Sequence, residues 1–343
     1  MKQATKSRKS VEYYVDGILQ GNRVVLAQAI TLVESSLPSD QDLASRVLEK
    51  TIQKSGNSIR IGITGSPGVG KSTFIEAFGK FLTRLGKKVA VLTVDPTSQK
   101  TKGSILGDKT RMPQLATNPD AFIRPSSAGE TLGGVANNTR EAILLTEAAG
   151  FEIIIIETVG VGQSEVAVRN MTDFFLLLML PGSGDELQGI KKGIMEMADL
   201  LVITKADGEN LPRAKRSQAE FQQAVHTLYD RAGGWIPKVL TASALLSTGL
   251  EDIHDSISKF ISTKKQSGDF ATNRSLQDIA HMHDNFQQRL KDEISNSSFL
   301  RGKFTEIEAL VKTHALTPGE AGKKLLGYFQ QYIQAKAPEN TRP

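Results

Sequence analysis

The sequence predicts an α/β fold built on a doubly wound, mostly parallel sheet. Short apolar runs alternate with longer amphipathic stretches from Ser58 to about Ile261. Most of these runs lack a period-two alternation, the pattern of strands covered on both faces. The chain has 343 residues, 39% of them hydrophobic, enough for one sizeable core with smaller appendages.

Residues 11–54 carry apolar positions at helical spacing, with Leu26, Ile30 and Val33 followed by Leu43, Val47 and Leu48. Pro38 and Ser39 interrupt and restart the pattern, and Ser39 or Asp40 is the expected N-cap. The expected strands are 59–64, 89–94, 153–158, 174–180, 200–204 and 237–241. Helices are expected at 73–85, 132–149, 189–197, 213–229 and 250–261. From Ser262 a polar stretch reads as a linker. Beyond it Leu276, Ile279, His283, Phe286 and Leu290 recur at steps of three and four, an apolar stripe for helix-on-helix packing. A further helix is expected at 304–312, and Thr317-Pro318 starts another, with Glu320 placed for a capping box. The expected division is a helical extension over 1–57, a sheet domain over 58–262 and a helical arm over 263–343.

Composition excludes several classes. There are no cysteines, which rules out disulfide scaffolds and thiolate metal sites and fits a reducing, cytoplasmic setting. Residues 1–10 are basic and polar with no apolar core behind them, unlike a secretory signal. The longest apolar runs are of strand length, far short of a membrane span. The net charge of +5 is spread along the chain, which reads as a solvated surface rather than a nucleic-acid or membrane partner.

The strongest chemical signal is Gly65-Ser66-Pro67-Gly68-Val69-Gly70-Lys71-Ser72, set between the first expected strand and the helix from Thr73. Glycines let the backbone curl so that its N–H groups face phosphate oxygens, and the helix N-terminus adds its positive dipole end. Lys71 supplies a point charge to the β and γ phosphates, and the Ser72 hydroxyl suits Mg²⁺. A nucleoside triphosphate is the implied ligand.

Hard carboxylates are expected around that metal. Asp95 and Glu157 each stand at the carboxyl end of an expected strand, where open sheets collect their ligands, and Asp108 lies in a polar loop. An ordinary loop acid or helix cap is the alternative for each. The glycines of Gly160-Val161-Gly162 permit a change of backbone path on hydrolysis. Gln163 in that loop, or Gln188 in a later polar loop, is the candidate for orienting the attacking water.

The base is read as guanine. Asp207, in Thr204-Lys205-Ala206-Asp207, can accept from both guanine N1–H and the N2 amino group. Adenine lacks that donor pair and would leave the acid desolvated and unpaired. The Lys205 stem can lie along base and ribose, and Ser243-Ala244-Leu245 can offer backbone N–H groups to guanine O6. A helix-capping role is the alternative for Asp207.

These segments resemble the MeaB/ArgK GTPases, the MMAA group in animals. The resemblance spans about residues 11–327 and is most specific over Glu157-Thr158-Val159-Gly160-Val161-Gly162-Gln163-Ser164-Glu165. It implies a P-loop GTPase that acts as a chaperone of an adenosylcobalamin-dependent acyl-CoA mutase, chiefly methylmalonyl-CoA mutase, gating cofactor delivery and protecting the enzyme. It also implies a homodimer through the C-terminal arm, and switch roles for the loops at Asp108, Gln163 and Gln188, with Lys191 in the third. The family carries Asn where this chain has Thr204; Thr keeps a hydroxyl but is shorter, so weaker guanine affinity is expected. The competing classes are a metal-delivery GTPase and a small-molecule kinase. Metal delivery wants Cys or His ligands, and this chain has five histidines and no cysteine.

Overall fold

The computed structural model describes residues 8–94, 112–125, 132–158, 164–182, 192–229 and 234–336. Two compact units are present, 1–278 and 279–343.

The first unit holds a seven-stranded, wholly parallel sheet of order β3-β2-β4-β1-β5-β6-β7. Its strands are β1 (Ile59–Gly65), β2 (Val89–Val94), β3 (Ala121–Arg124), β4 (Ile153–Thr158), β5 (Phe174–Met179), β6 (Leu200–Ile203) and β7 (Lys238–Thr241). Six lie where the apolar runs predict them. The seventh, β3 on the sheet edge, is absent from the sequence reading.

Both faces of the sheet are covered, which is why its strands read as continuous apolar runs. On one face Ala90, Leu92, Ile154, Ile156 and Phe175 pack with Ile18, Leu26 and Ile30. Those three come from the N-terminal helices α1 (Val11–Leu19) and α2 (Arg23–Val33), which α3 (Pro38–Thr51) accompanies. On the other face Ile61, Ile63, Val91, Ile155 and Leu176 pack with Phe74 and Phe78 of α4 (Lys71–Arg84). Burying each such Phe is worth about 2–3 kcal/mol. Gly62 sits mid-strand because an added Cβ would lie 2.7 Å from the Phe175 ring and 3.0 Å from Val168.

After the short α5 (Pro113–Thr117) come α6 (Leu132–Ala148), α7 (Ser164–Arg169), α8 (Lys192–Met197), α9 (Leu211–Tyr229), α10 (Leu250–Ser267) and α11 (Asp269–Asn296). Two local expectations change. The N-cap of α3 is Leu37, with Pro38 as its first residue, and no side chain caps it. Asp40 instead turns inward and takes two hydrogen bonds from Arg8, at 2.8 and 2.6 Å. The polar stretch from Ser262 is helical as far as Ser267, where Gly268 at φ +81° ends α10.

A buried ion network lies among the N-terminal ends of β1 and β5 and the side chains of α6 and α11. Arg60 makes a two-pronged pair with Glu147 at 2.8 and 2.9 Å, and Ser58 Oγ donates to the same carboxylate at 2.6 Å. Burial alone would push the Glu147 carboxyl up, but Arg60, Ser58 and Arg274 hold it below the usual carboxylate range. Arg274 grips both oxygens of Asp173 at 2.8 and 2.6 Å and donates to the Gly56 and Ser58 carbonyls.

The second unit contains α12 (Ser298–Lys312) and α13 (Pro318–Lys336), packed as a pair after the end of α11. Ser297 caps α12, its Oγ accepting from Leu300 N at 3.2 Å, and Thr317 Oγ1 accepts from Glu320 N at 3.3 Å at the start of α13. Tyr332 and Lys336 both donate to Glu293, and the Tyr332 ring stacks on Phe299.

Candidate functional site

Strand register brings the predicted residues to one edge of the sheet. Gly65 pairs with Leu178, Met179 with Ile203, and Ile203 with Thr241, so the loops after β1, β6 and β7 emerge side by side. Glu157 pairs with Ile63 on the other flank of β1. The carboxyl ends of strands in an open parallel sheet form the ordinary ligand crevice.

The loop from Gly65 to Gly70 is shaped by close approach. An added Cβ on Gly65 would lie 2.5 Å from the Leu178 carbonyl oxygen, so only glycine lets β1 end against β5 here. Gly68 and Gly70 take φ of +82° and +92°, left-handed conformations that turn the backbone over Val69. Gly70 is the N-cap of α4, whose first turn holds Lys71, Ser72 and Thr73. Thr73, Pro67 and Gly68 are exposed, Ser66, Gly70, Lys71 and Ser72 half-buried, and Val69 fully buried.

The side chains make a connected set. Lys71 Nζ donates to Gly65 O at 2.7 Å and to Ser66 O at 3.3 Å, so the ammonium lies over the loop. Ser72 Oγ donates to Glu157 Oε1 at 3.1 Å. A buried carboxylate oxygen beside a hydroxyl at a helix N-terminus is a donor pair that fits a small hard cation. Thr158 Oγ1 donates to Thr64 Oγ1 at 2.8 Å directly beneath, tying β4 to β1.

The loops after β6 and β7 face each other. The Asp207 side chain makes no cap contact to the short 3-10 turn Gly208–Asn210; it accepts instead from Ser243 Oγ. Capping, the alternative weighed for Asp207, is therefore not what its carboxylate does. The Ser243 N–H is committed to Thr248 O at 3.1 Å, which removes it from the expected row of base-facing amides. Among the described residues the Ala244 and Leu245 amides have no protein acceptor. Lys205 stands at φ +54° and sends Nζ to Gly68 O at 2.9 Å. Thr204, whose shorter side chain was the departure noted from sequence, donates its hydroxyl to Val69 O at 2.8 Å. That tie was not anticipated; no spacing rule links positions 135 residues apart.

Five of the predicted site residues, Asp95, Asp108, Gln163, Gln188 and Lys191, lie outside the described residues. No helix among the described residues is long and apolar enough to cross a membrane.

Comparison with known proteins fits this geometry. The family model described as methylmalonyl-CoA mutase-associated GTPase MeaB matches residues 26–298. The chain is 44% identical to the Escherichia coli protein named GTPase ArgK, over 92% of this chain and 95% of that one. It is 43% identical to the mouse protein named methylmalonic aciduria type A homolog, mitochondrial, over 95% of this chain and 81% of that one. A crystal structure titled LAO/AO transport system kinase superposes with a TM-score of 0.74 at 36% identity, covering 95% of this chain and all of that one. A phosphate loop on a seven-stranded parallel sheet, together with a family match over most of its length, makes this chain a P-loop GTPase belonging to the MeaB family.

Proposed function

We propose that this GTPase is a chaperone that gates adenosylcobalamin delivery to, and protects, a cobalamin-dependent acyl-CoA mutase, methylmalonyl-CoA mutase foremost. The observation that carries the reading is the match to the mutase-associated family model across residues 26–298.

In this reading the amides of Gly68 to Ser72 cradle the phosphates and Lys71 leaves its carbonyl partners for the β and γ oxygens. Ser72 and Glu157 hold Mg²⁺, with Asp95 and Asp108 completing the carboxylate set. Mg²⁺ held there would supply positive charge against the negative charge that develops on the phosphate oxygens. Asp207 accepts from guanine N1–H and N2, and Ser243 Oγ, already on that carboxylate, fixes its orientation. Ala244 and Leu245 offer amides to O6, and the Lys205 stem covers the base. Gln163 or Gln188 orients the attacking water, with Lys191 assigned to the third switch loop.

A homodimer through the C-terminal arm belongs to the same reading. Leu276, Ile279, Met282 and Phe286 are 52–61% exposed along α11, an apolar stripe suited to a second copy. Hydrolysis then serves as a timing signal to the bound mutase. The test is GTP turnover by the full chain alone and with a cobalamin-dependent acyl-CoA mutase, with and without cofactor. Slow intrinsic turnover that the mutase changes several-fold is expected. Turnover indifferent to a saturating mutase would remove the chaperone reading.

A further inference from the structure

Ser72, Glu76, Lys80 and Thr83 follow one another at steps of four, four and three, so they share one face of α4. The short helix α5 lies along that face. Glu76 Oε1 accepts from Gln114 N at 2.9 Å and from Leu115 N at 3.3 Å. Pro113 has no N–H, the Met112 N-cap offers no side-chain bond, and Ala116 N donates to Met112 O. One oxygen of Glu76 therefore meets every free amide in the first turn of α5. The other oxygen, Oε2, is buried and takes no hydrogen bond, so this tie is all the hydrogen bonding the carboxylate does. The approach continues down the helix. An added Cβ on Gly79 would lie 2.7 Å from Leu115 Cδ2, Lys80 donates to Gln114 Oε1, and Asn118 Nδ2 donates to Thr83 Oγ1 at 3.0 Å. Met112 and Leu115 are fully buried.

We propose that Glu76 is a positioning residue for the Mg²⁺ site. By pinning α5 to the phosphate-loop helix it fixes the chain end from which Asp108 reaches the ion. Glu76 stands one turn of α4 beyond Ser72, a rise of about 6 Å. Asp108 precedes Met112 by four residues, a chain length of at most about 14 Å, so the pin and the metal ligand are within reach of one another. The carboxylate acts by the reach of its oxygen to two amides, not by its charge. This inference rests on the reading of Asp108 as a metal acid.

The test titrates a GTP analogue with an imido bridge between the β and γ phosphorus atoms onto the full chain. Affinity is measured in Mg²⁺ and in excess chelator, and the ratio of the two is the Mg²⁺ enhancement. Glu76→Ala should lower the enhancement about tenfold, the low end for losing a group that orients a metal ligand, and leave the affinity in chelator within about twofold. Glu76→Gln keeps the acceptor without the charge and should stay within about threefold of the unmodified protein. Glu76→Asp keeps the charge but draws it back by one methylene, and should fall with Glu76→Ala. Asp108→Asn should also lower the enhancement, and adding Glu76→Ala to it should change little, because both act through one ligand. The proposal is overturned if Glu76→Ala leaves the enhancement unchanged or weakens the analogue equally in chelator. It is also overturned if Glu76→Asp is spared while Glu76→Gln falls, or if the Glu76 and Asp108 effects multiply. Thermal unfolding of each variant is measured alongside; should Glu76→Ala fail to fold, the contrast of Glu76→Gln with Glu76→Asp decides. An unchanged enhancement in Asp108→Asn would remove the metal reading of Asp108 and this proposal with it. A lowered one there, beside an unchanged one in Glu76→Ala, would remove the proposal alone.

Discussion

Ser72 Oγ donates to Glu157 Oε1 at 3.1 Å, and this contact joins the first turn of α4 to the end of β4. It sets two hard oxygen ligands side by side before any cation arrives. Removing the Ser72 hydroxyl should therefore act through the metal. Ser72→Ala is expected to raise the Mg²⁺ concentration for half-maximal turnover at least tenfold and to lower turnover about 100-fold, the scale of losing one group that stabilises transition-state charge. GTP binding in excess chelator should stay nearly unchanged. A variant that loses affinity equally with and without Mg²⁺ would show that the hydroxyl serves the fold instead.

Gly65 offers a steric test. A Cβ there would lie 2.5 Å from Leu178 O, a backbone atom that cannot swing away. At Gly68 an added Cβ meets nothing within 4 Å and only the left-handed φ of +82° is strained. Gly65→Ala should cost about 1–3 kcal/mol of stability from overpacking and displace the loop, weakening GTP at least tenfold. Gly68→Ala should cost about 1–2 kcal/mol from φ strain alone. Urea unfolding and nucleotide titration of the two variants check the ranking.

How much of this was legible in the sequence divides along physical lines. Six strands and the phosphate loop were readable because doubly covered strands leave unbroken apolar runs and the loop keeps fixed spacing. Asp40 was misread as a cap because the rule for α3 sees only neighbours, whereas its partner Arg8 lies 32 residues away. Arg60, Glu147, Asp173 and Arg274 were invisible for the same reason, each pair separated by 87 residues or more. Ser243 was anticipated as an amide donor, but its contribution is a hydroxyl on Asp207.

That ion network yields the third prediction. Arg274→Met removes four hydrogen bonds, strips the buried Asp173 carboxylate of its guanidinium partner and takes a positive charge from Glu147. Breaking one side of a buried pair costs about 3–5 kcal/mol. The urea midpoint should fall accordingly, and Arg274→Lys should recover only part of it, since an ammonium cannot make the planar two-pronged contact. Loss below about 1 kcal/mol would show the network to be dispensable.

Asp199 should make stability depend on pH in an unusual direction. Burial pushes its carboxyl up to about 6, against the pull of Arg169 and the Phe175 N–H. The folded state thus holds a proton that the unfolded state, titrating near 3.8, has already lost. Between about pH 4 and 6 this residue lowers stability as pH rises, by up to about 3 kcal/mol in full. Asp199→Asn should gain on the unmodified protein across that window and hold the gain above it. Urea midpoints at several pH values check this; a difference that stays flat with pH contradicts it.

The central claim is that Asp207, held by Ser243, makes this phosphate site a guanine site. The most direct measurement is turnover of GTP and xanthosine triphosphate by the unmodified protein and by Asp207→Asn. An amide that can both donate and accept should favour xanthine, with its second carbonyl, so the variant should reverse the preference by at least 100-fold in kcat/KM. Unchanged GTP preference in Asp207→Asn would contradict the claim.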